Sequence, residues 1–342
     1  MKVMIVGAGV TGICLAHELM LQGVDVMVMD NGKNVSSIVS AGMITPLVFR
    51  RMTLSWRVDD MLPFARNTYK QLEEQIGETC YHELPLRRLF ASEQELEFWK
   101  DKQYLDSFCD YMEPLNEDDL HFPLEQNTFG TGRVKQAAYV DTTTFIQGFK
   151  RILKQENRLM EENFEFQHLD ASGCTYRQES FDLIVFADGK DVKYNPLFGH
   201  LPMQPTKGEL LTIQSDSIYN KESLNRKCFL LPLENNTFKV GSTYIWDVDD
   251  TEITEEGRTT IAENLQSITK ETYTIINQQA GVRPTVPDRR PILGRHPEFP
   301  KMVIANGMGA KGYLIAPLLM HELANHLLHG EQLDPETNIN RF

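Results

Sequence analysis

Apolar positions along this chain follow two rhythms. Lys2–Val6 and Val24–Met29 are short, almost wholly apolar runs, the pattern of parallel strands covered on both faces. Between them Val10–Gln22 carries a helical pattern, so the chain opens as strand, turn, helix, strand, and a parallel sheet is predicted. Asp59–Ile76 repeats Met61, Leu62, Ala65, Tyr69, Leu72 and Ile76 near helical spacing. Thr142–Gln155 reads as another helix, with Thr142 or Thr143 as its cap. Asp182–Ala187 is a third buried strand, closed by Asp188-Gly189. Within 205–286 the alternation of Glu209–Ile213, Cys228–Pro232 and Thr237–Thr243 predicts antiparallel strands. A last strand, Met302–Ala305, runs into a glycine-rich turn and an apolar helix from about Gly312 to His329. Residues 78–137 mix aromatics and turns without a clear period.

No run approaches the ~20 apolar residues that span a bilayer. The N-terminus superficially suits a signal peptide, but it lacks a small-residue cleavage site and reads as mature, cytoplasmic sequence. Cys14, Cys80, Cys109, Cys174 and Cys228 are odd in number and scattered, which suggests neither a disulfide framework nor a metal site. The net charge of −14 repels a phosphate backbone, so nucleic acid is not an expected partner. Arg50-Arg51, Arg87-Arg88 and Arg289-Arg290 are too isolated to form a basic stripe, and Asp247–Glu256 reads as a solvated acidic loop. No repeat or linker divides the chain, which favours interleaved domains over separate ones.

The strongest local signal is Gly7-Ala8-Gly9-Val10-Thr11-Gly12, which matches GxGxxG. It follows a strand, opens a helix, and precedes a second strand that ends in Asp30, about 20 residues on, as a dinucleotide fingerprint requires. Gly7 permits the tight turn, Gly9 lets the backbone approach a pyrophosphate, and Gly12 lets helix and strand pack closely. The helix N-terminus offers free N–H groups to phosphate. Asp30 is expected to accept from ribose hydroxyls and to disfavour a 2′-phosphate. The fingerprint alone does not separate FAD from NAD. The turn Asn306–Gly312, ahead of the last helix, adds a second helix N-terminus suited to the anionic end of a reduced flavin.

With these residues the chain resembles the D-amino-acid oxidase superfamily of FAD-dependent oxidoreductases, in its glycine oxidase and sarcosine oxidase branch. Ser40-Ala41-Gly42-Met43 is similar to the small-residue loop over the flavin, Asp182–Gly189 to the strand returning to the cofactor, and Pro205-Thr206-Lys207-Gly208-Glu209 to the turn entering the substrate sheet. Ala280-Gly281-Val282-Arg283-Pro284, with Asp288, Arg290-Pro291-Ile292 and Gly294, resembles the family's C-terminal signature. The resemblance implies an α/β fold: a Rossmann-like FAD-binding domain (1–77, 138–204 and 287–342) interleaved with a smaller substrate domain (78–137 and 205–286) on a mainly antiparallel sheet. Besides the fingerprint, it implies cofactor contacts from Asp30, Asn31, Ser40, Ala41, Gly42, Met43, Ala187, Gly189, Gly294, Gly307, Met308, Gly309, Ala310, Lys311 and Gly312.

Arg283 is the implied receptor for a substrate carboxylate, a task suited to a planar guanidinium; the competing reading is an ion pair with one of the many acids. Two positions depart from glycine oxidases. Phe229 stands near a carboxylate-binding tyrosine, and Ala310 where an arginine stands, with Lys311 next to it. Gly309-Ala310-Lys311-Gly312 is closer to the oxidase half of the enzyme that trims carboxymethylaminomethyl-uridine in tRNA, so Lys311 is either a second anion ligand or a solvated helix-end lysine. Lys239 falls where the sarcosine oxidase branch has a lysine that helps oxygen react, or simply points outward from a surface strand. Tyr244 is a candidate wall of the substrate pocket. His321, His326 and His329 lack metal-ligand spacing. The implied reaction passes a hydride from the carbon alpha to an amine nitrogen to flavin N5, leaving an imine that hydrolyses, with oxygen or another acceptor taking the electrons. A tRNA-modifying oxidase, a 2-hydroxy-acid dehydrogenase and a non-enzymatic flavin scaffold are the alternatives.

Overall fold

The computed structural model describes residues 1–33, 35–124 and 126–342. Two sheets organise them. The first has six strands, in the order Leu159–Met160, Asp25–Met29, Lys2–Val6, Leu183–Phe186, Met302–Asn306 and Ile292–Arg295. The first five run parallel, and the last is antiparallel to its neighbour. Val3 and Ile5 belong to a core shared with helices Val10–Leu21, Val58–Ile76, Thr142–Gln155 and Gly312–His329, while Met4 and Val6 enter a second core with Phe186 and Phe198. Both faces are thus covered, which is why these strands show no polar alternation.

The second sheet has eight strands, drawn from Leu86–Leu89, Thr131–Val134, four strands between Gln204 and Gly241, Ile245–Trp246 and Thr274–Thr285. Its long central strand, Gln204–Gln214, pairs antiparallel with Thr274–Thr285 on one edge, and with Thr237–Gly241 and Ile245–Trp246 on the other. Only Leu86–Leu89 runs parallel to a neighbour, Ser223–Asn225. A small sheet of Met43–Ile44, Ala138–Val140 and Tyr81–Glu83 lies between these parts of the chain. Ser36, at the start of the short helix Ser36–Val39, ties that helix to the second sheet: its hydroxyl donates to the Val282 carbonyl and accepts from the Val282 N–H, at 2.7 and 3.1 Å.

Two local expectations are corrected, on a helix cap and on the acidic stretch, and the isolated pair Arg87-Arg88 gains a structural role. Helix Thr142–Gln155 is capped by Asp141, whose carboxylate accepts from the N–H groups of Thr143 and Thr144 and so takes the place assigned to a threonine. The acidic stretch after Trp246 is not simply solvated. Asp249 accepts from Tyr194 and Lys193, Asp250 pairs with Lys207, and Glu255 opens helix Glu255–Leu265. Arg87 and Arg88 are buried, in ion pairs with Asp119, Glu222 and Glu95.

Candidate functional site

A cleft of about 420 Å³ opens at the C-terminal ends of the parallel strands and reaches the face of the second sheet. That is where an open α/β sheet binds ligands, because there the strand ends and helix N-termini expose unpaired backbone groups. Gly7, Gly9, Val10, Thr11, Asp30, Asn31, Ser40, Ala187, Gly189, Met308, Gly309, Ala310 and Gly312 line it, together with Arg283.

The glycines divide by task. Gly7 has φ +108°, and a Cβ there would stand 2.4 Å from the Ala187 carbonyl oxygen. At Gly12 a Cβ would meet the Gly7 oxygen at 1.9 Å, so this residue lets helix and strand close on each other. Gly9 faces the open side, where a Cβ would approach only Ser37. Helix Val10–Leu21 has no side-chain cap, and the same holds for Gly312–His329. Both starts border the cleft and bring positive dipole ends to it, although at the first the Val10 N–H already donates to Ser37 Oγ at 3.1 Å. Gly309, at φ +57° with open space where a Cβ would stand, begins the 3-10 turn Gly309–Lys311 that leads into the second helix.

Asp30 lines the cleft and also braces it. One carboxylate oxygen accepts from the Ala8 N–H at 2.7 Å; the other accepts from the Gly32 N–H and from Lys150, which neutralises it. Gly294 is corrected: it lies against Ile339, where a Cβ would stand at 2.8 Å, and serves strand packing away from the cleft. Ala41, Gly42 and Met43 shape their loop rather than line the cleft, Gly42 at φ +63° with Val140 against it. Ala8 and Gly307 likewise stand behind the lining.

The opposite wall comes from the second sheet. Directly opposed residues on neighbouring strands share a face. Register therefore places Phe229, Leu210, Gly208, Thr206, Arg283 and Trp246 on one face, with Lys239 further along it. The Arg283 guanidinium lies over Gly208, where a Cβ would stand 2.2 Å from one terminal nitrogen. It donates to Ser242 Oγ at 2.6 Å and more weakly to the Thr243 carbonyl, and sits 4.2 Å from the Tyr244 ring centroid. No carboxylate among the described residues pairs with it, so the expected competitor, a structural ion pair, is not what this arginine makes. Burial lowers its pKa, partly offset by Tyr244. Guanidinium keeps its proton regardless, so the site holds an under-compensated cation.

For Lys239 the outward-pointing reading is corrected, and for Lys311 the solvated one. Lys239 does not point into solvent. It is half-buried, its pKa is lowered by desolvation, and its ammonium donates to the Ser40 carbonyl at 3.0 Å, bridging the second sheet to the cleft loop. Lys311 is neither solvated nor free to hold an anion. Its ammonium donates to the carbonyls of Thr45 and Leu47 and to the Ser55 hydroxyl, which uses all three N–H groups. Burial lowers its pKa to about 8.

Sequence reasoning passed over Asp188. The residue lines the cleft, with its backbone beside Gly7; its carboxylate accepts from the amides of Asn195 and Asn306 and has a pKa raised by burial to about 7. The aspartate in Ala187-Asp188-Gly189 was the available signal. The histidines of the last helix take structural partners: His321 meets Glu18, and His329 meets Gln22. No group of metal-ligating side chains occurs among the described residues.

Comparison with known proteins agrees with this geometry. The family described as "DAO: FAD dependent oxidoreductase" matches residues 2–326. The glycine oxidase of Bacillus subtilis (strain 168) is 23% identical over 375 residues, with 97% of each chain covered. The bifunctional protein MnmC of tRNA 5-methylaminomethyl-2-thiouridine biosynthesis from Maricaulis maris is 26% identical over 341 residues. That alignment takes in 96% of the present chain but 52% of the relative, so the chain spans about half its length. Among solved structures, glycine oxidase from Geobacillus kaustophilus superposes with a TM-score of 0.83 at 19% identity, and iminodiacetate oxidase from Chelativorans sp. BNC1 with 0.81 at 21%. Each pair covers 97% of this chain and 96% of the other, and the likeness is one of fold.

Proposed function

This chain belongs to the FAD-dependent oxidoreductase (DAO) family, and from that membership and the cleft we infer that it oxidises the C–N bond of an amino acid or related secondary amine. The observation that carries the reading is Arg283: a half-buried cation with no carboxylate partner among the described residues, at the wall of the cleft. An amino-acid carboxylate completes its hydrogen bonding, and a bidentate pair fixes the orientation of the α-carbon. The cationic surroundings also favour a neutral amine, the form whose nitrogen lone pair assists loss of hydride. The glycine oxidase relative and the iminodiacetate oxidase neighbour support the same class of substrate.

FAD fits the cleft by its two cradles. Gly7, Gly9 and Val10 would hold the pyrophosphate at the first helix N-terminus, Asp30 and Asn31 would lie at the ribose end, and Met308–Gly312 would lie along the ring. Bound there, FAD supplies the acceptor for the hydride removed from the substrate, leaving an imine that water hydrolyses. The protein's part is to grip the carboxylate with Arg283 and wall the pocket with Tyr244. Lys239 fixes the Ser40 loop in its path across the cleft. Oxygen or another small acceptor then removes the electrons. A cytoplasmic setting fits five free thiols, four of them buried; no helix among the described residues is long and apolar enough to cross a membrane.

A second reading, oxidation of a modified tRNA base, is favoured by the identity to the Maricaulis maris protein and opposed by the −14 charge. Incubating the FAD-loaded protein with glycine, sarcosine, D- and L-amino acids, 2-hydroxy acids and modified tRNA separates these readings. The expected products are ammonia or a primary amine together with an oxo acid. Turnover of hydroxy acids alone, or of tRNA alone, would replace the reading.

A further inference from the structure

Beside Arg283, but outside the lining of the cleft itself, the second sheet carries two exposed aromatic side chains. Tyr244 is 55% exposed and Trp246 50%, with ring centroids 6.4 Å apart and planes tilted by 46°. Rings of this size left in water signal a surface made for contact. Trp246 is not on a loose loop. Trp246 is hydrogen-bonded into the sheet opposite Thr206, which is itself opposite Arg283, so Trp246 and Arg283 stand two strands apart on the same face. Two strand spacings are about 10 Å. Beyond Trp246 the chain is tied down by the Asp247 N–H to the Pro205 carbonyl, and by Asp249 to Tyr194 and Lys193. Tyr194, 65% exposed, itself lines the cleft. Phe229, on the same face, offers no hydroxyl and keeps that part of the wall apolar.

We propose that Trp246 and Tyr244 form a ring-binding subsite next to Arg283, so that the substrate is an amino acid or N-substituted glycine bearing an aromatic or heteroaromatic group. This rests on the amine-oxidising reading above. Arg283 takes the carboxylate, and the ring of the same molecule lies against the tilted aromatic pair. One face of Tyr244 is already occupied by the guanidinium at 4.2 Å, which holds its plane, so Trp246 presents the freer surface. A planar group recovers the apolar area that both rings expose, and it can stack; an aliphatic chain recovers part of the area without stacking, and glycine recovers none.

The test compares kcat/KM of the FAD-loaded protein for glycine, alanine, leucine, phenylalanine and tryptophan, both enantiomers where they exist, and for N-benzylglycine. Native protein, Trp246→Ala and Trp246→Phe are each measured, with bound flavin absorbance as the check on folding. A preference for ring-bearing substrates over alanine of about tenfold or more, expressed mainly in KM, is expected in the native protein. Trp246→Ala should collapse that ratio and Trp246→Phe should retain most of it. Equal use of alanine or leucine by the native protein, or a ratio untouched by Trp246→Ala, overturns the subsite and leaves amine oxidation standing. Turnover of no amino acid at all overturns both.

Discussion

Arg283 spends only part of its hydrogen-bonding capacity on Ser242 and Thr243, and burial makes the remainder costly. A carboxylate is the simplest group that relieves this. Arg283→Ala should therefore retain FAD while weakening an unreactive carboxylate ligand by about 2–5 kcal/mol, read as a shift in its dissociation constant from flavin absorbance. Unchanged affinity would remove the residue from the site. Gly208→Ala offers an independent check, because the added methyl would stand 2.2–2.5 Å from the guanidinium and displace it. The same loss of carboxylate affinity is expected without loss of the charge. Asp188 makes a separate prediction. Its folded pKa, about 7, is above its unfolded value, so its contribution to stability is fully present at low pH and is lost as pH rises through about 7. Thermal unfolding of native protein and Asp188→Asn at pH 5 and pH 8 (both chosen to bracket that value) should show a smaller pH difference in the variant.

At the scale of elements, the sequence was most legible where one residue type is forced by backbone geometry. Gly7 at φ +108° and Gly12 at 1.9 Å from a carbonyl oxygen admit no side chain, so the fingerprint and its strand–helix context could be read directly. The parallel strands were legible for a related reason, since both faces of Lys2–Val6 are apolar and both are covered. Side-chain direction was another matter. Lys311 follows the second glycine turn as anticipated, but its ammonium is claimed by Thr45, Leu47 and Ser55, residues far away in sequence. No local pattern encodes that contact. Lys311→Met should release the Thr45–Ser55 segment, seen as faster amide hydrogen exchange there with FAD still bound; unchanged protection would mean that the three bonds do not hold the segment. The cage around Asp188 is non-local in the same way, assembled from Asn195 and Asn306 on separate segments.

Across the whole molecule, helix N-termini border the cleft beside one sheet, and the other sheet contributes the cationic Arg283 with Pro284. The Ser36–Val282 bonds and the Lys239–Ser40 bond cross this division next to the residues that matter, so the wall is registered against the cradle and not merely near it. The segments that build each sheet were visible as a change in rhythm, from continuous apolar runs to alternation. Residues 78–137 were not, because they combine short strands with helix Glu93–Lys102 and with buried ion pairs that break any apolar period. The most direct measurement is anaerobic mixing of the FAD-loaded protein with an amino acid and, separately, with the amine lacking its carboxylate, in native protein and in Arg283→Ala. The account predicts that the amino acid bleaches the flavin of the native protein at far lower concentration than the amine, and that this advantage vanishes in the variant. Flavin bleached by 2-hydroxy acids but by no amine, or by amino acids equally well without Arg283, would contradict it.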